Sequence, residues 1–217
     1  MKKVLFISCL SLALAMVMSC NQRPSTKKAQ EDSARSRPLP SHIRDTAAGA
    51  VNSYAPVDIS PMDMSYYPKD YPILKIASDS NISADMRVIY SRPHLNGRRL
   101  FHDVVKYNEP WRLGANEATE IDFFHPVNIQ GTRVKAGRYI IYCLPHENTW
   151  TIVLNSNLDS WGLEQDRQLD VYKFDIPVVH NNPMVEYFTM VFEKKDGGAN
   201  LVIAWDEVVA RLPIDFK

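Results

Sequence analysis

From about Pro72 to Lys217, apolar residues recur at every second position in short runs broken by glycines and turn residues. Period two marks half-buried strands, because successive side chains leave a pleated strand on opposite faces. Met86, Val88 and Tyr90 alternate with Arg87, Ile89 and Ser91. Trp150, Ile152 and Leu154 alternate with Thr151, Val153 and Asn155. Phe188, Met190 and Phe192 face one way, and Thr189, Val191 and Glu193 the other. Asp196-Gly197-Gly198 then reads as a hairpin turn into Leu201, Ile203 and Trp205. Thr119 to Phe124 is a further β-rich run, and Gly131 and Gly137 mark turns. The spacing suits a sandwich or a barrel, and the fold expected is one all-β domain over residues 72–217, an antiparallel β-sandwich of jelly-roll-like kind. Helix is expected only as short turns, at Phe101 to Lys106 and at Leu158 to Arg167.

The N-terminus sets the expected compartment. Met1-Lys2-Lys3 precedes an almost wholly apolar run from Val4 to Val17, which has the form of a signal-peptide core and is short for a membrane span. It ends in Val17-Met18-Ser19-Cys20, which resembles a bacterial lipobox. That resemblance implies a signal peptide over residues 1–19 and a lipidated Cys20 as the mature N-terminus. Asn21 is not acidic, which favours the outer membrane over retention at the inner one, with the domain on the periplasmic side. Residues 20–71 are rich in Pro, Ser and mixed charge and are expected to be a flexible tether. About 50 such residues give a reach on the order of 40 Å. The end of the tether, from Tyr54 to Tyr71, carries Met, Tyr and Pro and reads as an extended arm packed on the domain.

Charge and cysteine usage narrow the function classes. Loss of Lys2 and Lys3 from 25 basic residues leaves 23 against 25 acidic ones, so no positive field recruits nucleic acid. Cys9 leaves with the signal and Cys20 is acylated, so Cys143 has no disulfide partner. It lies in the apolar run Tyr139 to Leu144 and is expected to be a small core residue. His94, His102, His125, His146 and His180 are scattered and do not form a metal-ligand string. The sequence assigns no catalytic residue, no metal and no cofactor. It contains no GxSxG elbow and no phosphate-cradling glycine loop. Glu117, Glu120, Asp122 and Glu186 are the carboxylates from which a glycoside-cleaving pair could be drawn.

Chemistry concentrates between Trp111 and Thr119, which reads Trp-Arg-Leu-Gly-Ala-Asn-Glu-Ala-Thr. Arg112 offers a bidentate cation, Asn116 donates and accepts, Glu117 carries a carboxylate, and Trp111 presents a ring for stacking. Arg92, Arg98 and Arg99 add charge from a preceding turn. Trp111, Arg112, Asn116, Glu117, Arg92 and Arg98 are therefore the candidate ligand-binding residues. An equally simple reading is structural: Trp111 plugs one end of the domain, Arg112 pairs with Glu117, and Asn116 caps a loop.

The order of segments around this string carries a family resemblance. Tyr90-Ser91-Arg92-Pro93, Gly97 to Phe101, Trp111 to Thr119, Gly131 to Gly137 and the strand Trp150 to Asn155 follow one another over roughly Pro72 to Ile214. The chain resembles the bacterial domain of unknown function 2911 family. Two departures stand out: Tyr107-Asn108-Glu109-Pro110 replaces the family's usual Tyr-Gly. Leu169 to Phe174 lacks the arginine common in the strand after the Trp-Gly turn. The resemblance implies a secreted or lipid-anchored domain and supplies no catalytic roles. The reading that follows is an envelope lipoprotein that binds a ligand or partner without catalysis. Its expected partners are the membrane, through the lipid anchor, and a glycan, an anionic small molecule or an envelope protein. The alternatives are a hydrolase acting on an envelope or dietary polymer, and a purely structural envelope subunit.

Overall fold

The computed structural model describes residues 58–77, 82–180 and 182–216. The segments read as signal peptide and tether, with Cys20, lie outside the described residues up to residue 57. Eleven strands follow in chain order: β1 (Met62–Tyr67), β2 (Met86–Ser91), β3 (Glu120–Phe123), β4 (Val127–Ile129), β5 (Thr132–Val134), β6 (Gly137–Pro145), β7 (Thr149–Asn155), β8 (Asp170–Val179), β9 (Val185–Lys195), β10 (Gly198–Asp206) and β11 (Val208–Asp215). A short helix, α1 (Tyr71–Ala77), follows β1. Every strand pairing is antiparallel, as the alternation predicts.

The expected division into two sandwiched sheets is not what the pairing describes. Hydrogen bonds run without a break in the order β1-β2-β3-β6-β7-β8-β11-β10-β9, with β4 and β5 attached to β11. The β8–β11 step, where a sandwich would have its gap, is held by Val209 opposite Val179 and Ala210 opposite Val178. The two outer strands then approach each other. Phe188 N–H donates to Pro93 O at 2.9 Å, and Leu95 N–H donates to Glu186 O at 3.0 Å. The Ser65 hydroxyl donates to Met190 O at 2.7 Å. A twisted antiparallel sheet with one apolar face buries that face by curling until its edges meet, which also protects the edges. The result is a nearly closed, barrel-like sheet.

Arg92 fastens this seam. Its guanidinium donates to Phe188 O at 3.2 Å, to the Asp63 carboxylate at 3.1 Å and to the Thr189 hydroxyl at 3.3 Å. It thereby ties β1 and β9 to the segment that leaves β2. Residues Met62–Tyr67, read from the sequence as part of an extended arm packed on the domain, form the strand β1 paired with β2, so the sheet begins upstream of Pro72.

The residues that alternate inward fill one core. Met86, Val88, Tyr90, Trp150, Ile152, Leu154, Phe188, Met190, Phe192, Leu201, Ile203 and Trp205 all belong to it. Cys143 is buried among them, and burial pushes its thiol well above the ordinary range. Of the two expected helical turns, the first exists as a single wide turn at Leu100–Val104, closed by Val105 N–H to Leu100 O at 2.8 Å. The second region forms irregular loop, and its only helical turn is Arg167–Leu169 at its end. Asp159 and Gly162 both have positive φ, at 58° and 77°, which no continuous helix accommodates.

A buried polar network joins β6, β7 and β8. Tyr142 donates to Asp170 Oδ1 at 2.8 Å, and Asn155 Nδ2 donates to the same oxygen at 2.9 Å. Asn155 also donates to Asp166 O at 2.9 Å and accepts from Asn157 N–H at 2.8 Å. Burial alone would raise the Asp170 carboxyl, but bonds from Asn155, Lys173 and Tyr142 outweigh it and hold the pKa below the ordinary value. Burial first, and Asp170 second, push the Tyr142 phenol up to about 12. Because the folded Asp170 pKa lies below its unfolded value, its stabilisation is complete above about pH 4 and is lost as pH falls through the folded value. Asp170→Asn is expected to cost about 2 kcal/mol at neutral pH and to make the acid decline of the melting temperature shallower. Melting curves of both proteins from neutral to acid pH measure this; parallel declines would show that Asp170 does not carry the acid sensitivity.

Candidate functional site

The Trp111–Thr119 string is an excursion from a strand. Trp111 pairs with Cys143 on β6 through two backbone bonds of 2.8 Å, and Ile141 N–H donates to Thr119 O at 2.9 Å. Residues 112–118 therefore loop out between two contacts with the same strand and return to enter β3. Leu113, Gly114 and Asn116 adopt positive φ of 54°, 154° and 58°, which lets the chain double back within so few residues. The Thr119 hydroxyl closes the base with a buried 2.6 Å bond to Leu113 O. Gly114 is required there by space as well as by φ: a Cβ would stand 3.0 Å from Ser91 O and 3.2 Å from Thr119 Oγ1.

Each candidate side chain has a definite place. Trp111 is a core residue, with ring centres 5.6 Å from Trp150, 5.2 Å from Phe188 and 5.9 Å from Trp205. Arg112 does not pair with Glu117; it donates to Trp161 O at 3.2 Å. Burial lowers the pKa of its guanidinium, and the charge of Glu117 offsets this only in part. Asn116 Nδ2 donates to Asp58 Oδ2 at 2.6 Å and to Ser60 O at 3.3 Å, pinning the segment ahead of β1. Arg98 is used locally, donating to Leu95 O and His94 O at 2.8 Å each. Arg92 belongs to the seam. The loop thus combines features of both sequence readings: Trp111, Arg112 and Asn116 build structure, and Glu117 stands exposed.

That structure holds a second loop, residues 156–166, against the first. Ala118 N–H donates to Ser160 O at 3.2 Å, Arg112 grips Trp161 O, and Gly162 packs so closely that a Cβ would lie 2.9 Å from Ala118 Cβ. The clamp fixes the backbone at Trp161, and this residue remains 55% exposed. Beside it opens a cleft of about 420 Å³ between the two loops and the outer face of β1 to β3. Met62, Ile89 and Trp161 form its apolar walls, and Glu117, Glu120 and Asp159 its carboxylates. Arg138 bridges two of these, at 3.3 Å from Glu120 and 3.2 Å from Asp159. Asp122, on the same face as Glu120, is bound to Arg87 at 2.6 Å. A second cleft of about 350 Å³ lies on the other side of the loop, over Trp111 and Trp205.

Trp161, Asp159 and Met62 were not singled out from the sequence. The available signal was a tryptophan beside a glycine in an otherwise polar loop, Asp159-Ser160-Trp161-Gly162. An exposed indole on so fixed a backbone is unusual, because a ring of that size normally seeks the core.

A family model described as a protein of unknown function, DUF2911, matches residues 74–214. The chain belongs to the DUF2911 family. No curated protein and no solved structure matches it. The DUF2911 match starts after β1 and takes in both the 111–119 loop and the Trp161 loop that it clamps. Within this DUF2911 domain no three His, Cys, Asp or Glu side chains of the described residues gather as a metal-holding group. No described helix is long and apolar enough to cross a membrane.

Proposed function

We propose that this DUF2911 protein is an outer-membrane lipoprotein, anchored through Cys20, whose barrel-like domain binds a glycan in the periplasm without cleaving it. One observation carries the binding reading: Trp161 stands exposed on a loop whose backbone is clamped beside a cleft that also holds Glu117. The exposed indole, carried on a backbone already held in place, offers an apolar face to the C–H side of a sugar ring. Glu117 and the other carboxylates accept hydrogen bonds from its hydroxyls. Three carboxylates disfavour an anionic small molecule in this cleft, and the arginines that suggested one lie elsewhere: Arg92 in the seam, Arg98 and Arg112 along the second cleft.

Titration of the full chain with oligosaccharides from envelope polymers, read by tryptophan fluorescence, tests this. Saturable quenching is expected, and Trp161→Ala is expected to abolish it while lowering the melting temperature little. Quenching that survives in the Trp161→Ala variant would place binding elsewhere. The anchor is tested separately: Cys20→Ser is expected to move the protein from the membrane fraction to the soluble one.

A hydrolase reading draws on one feature, the presence of Glu117 and Glu120 in the same cleft. Release of new reducing ends from an envelope polysaccharide, lost in Glu117→Gln, would favour it over simple binding.

A further inference from the structure

Glu117, Glu120 and Asp159 face one cleft, and the single guanidinium bound to them, Arg138, is shared by Glu120 and Asp159. Three carboxylates stand against the bound Arg138 and the more distant Arg112, which feels the charge of Glu117, so the site of about 420 Å³ carries a net negative charge. No basic residue lines the cleft itself. Glu117 extends from the 111–119 loop, exposed and outside every ion pair among the described residues. Its loop neighbour across the clamp is Trp161. Met62, 60% exposed, forms a further apolar wall.

A neutral sugar would use the indole but leave this charge unanswered. An anion would be repelled. A ring that carries both an apolar face and a protonated amine answers both features at once. Its C–H face lies on the indole, its ammonium meets the carboxylate, and the indole's π-face adds attraction for the cation.

We infer that the cleft selects a glycan bearing free amino groups, a deacetylated amino sugar, over its neutral N-acetylated counterpart. This rests on the glycan-binding reading above and specifies its ligand. Acetylation removes the positive charge while leaving the ring and its apolar face intact, so the two forms differ in the one property that the carboxylates read. Ser160 and the hydroxyl-accepting carboxylates serve either form; only the ammonium distinguishes them.

The test is a fluorescence titration of the full chain with a glucosamine trimer and with the N-acetylglucosamine trimer, at mildly acidic pH and low salt. The expected result is binding of the free-amine trimer about tenfold tighter or more. Added salt is expected to narrow the gap, as it screens charges at an open site. Glu117→Gln is expected to weaken the free-amine trimer severalfold and leave the acetylated one nearly unchanged. Equal or tighter binding of the acetylated trimer would overturn the charge selection and leave the glycan reading standing. Binding of neither trimer would overturn both. Equal weakening of the two trimers in Glu117→Gln would also overturn the charge selection, since it would mark Glu117 as a plain hydrogen-bond acceptor.

Discussion

Replacing Gly198 by alanine is expected to destabilise the protein by about 3 kcal/mol or more, because the added carbon has nowhere to go. Gly198 opens β10 opposite Asp215 of β11, and a Cβ there would stand 2.0 Å from Ile214 O and 2.9 Å from Asp215 Cα. Both atoms are backbone, so no side-chain rotation relieves the overlap. The start of the β10–β11 ladder must open, and with it the contacts that gather there. Phe216 N–H donates to Gly197 O at 2.9 Å, and the Tyr67 hydroxyl donates to Gly198 O at 3.3 Å. Gly197 is the control one residue earlier. Its φ of 72° favours glycine, but nothing lies within 4 Å of a Cβ at that position. Alanine there should cost only the backbone strain, about 1 kcal/mol. For a domain of this size, 3 kcal/mol lowers the melting temperature by about 6–12 °C. Thermal melts of the two variants side by side decide the matter: similar losses at Gly197 and Gly198 would mean that β10 and β11 do not approach so closely.

Trp111→Ala carries the second large effect. The indole sits edge-on to Trp150 and Phe188 and stacks against Trp205 at an angle of 21° between the planes. Removing it opens a cavity at the meeting point of three large rings, Trp150, Phe188 and Trp205, all of them almost fully buried. The expected loss is about 3–5 kcal/mol, measured by urea unfolding at constant slope. Trp111→Phe keeps a ring in the slot and is expected to lose about half as much. Trp111 is only 7% exposed, so a change in ligand affinity with unchanged stability would contradict its placement in the core.

The alternation that marked the strands from Met86 onwards was legible because each has one face on the core, and period two records that division directly. The strand β1 was legible only as an extended arm. Met62, Met64 and Tyr66 alternate with Asp63 and Ser65, but no position is fully buried and both methionines are exposed, so the alternation there does not mark a core face. Curling of the sheet was not legible either. It turns on two residue pairs between β8 and β11, about thirty positions apart in the chain, and on side-chain bonds across the β1–β9 seam. The Trp111–Thr119 string was recognisable as unusual, and its glycine as a tight turn. Its internal pairing was not: Arg112 lies five residues from Glu117, yet the positive φ at Leu113 and Asn116 sends the two side chains to different partners.

The sequence by itself determined the antiparallel β class, the inward-facing residues and the family to which the chain belongs. These follow from local alternation and from the order of motifs, which survive any arrangement of the strands in space. Tertiary structure decided the nearly closed sheet, the seam role of Arg92 and the cleft beside Trp161. A cleft is made of residues whose proximity depends on several loops closing at once, here Met62, Glu117 and Trp161 from three separate segments. No local pattern encodes such a meeting, because the packing energy that fixes it is shared among contacts far apart in the chain.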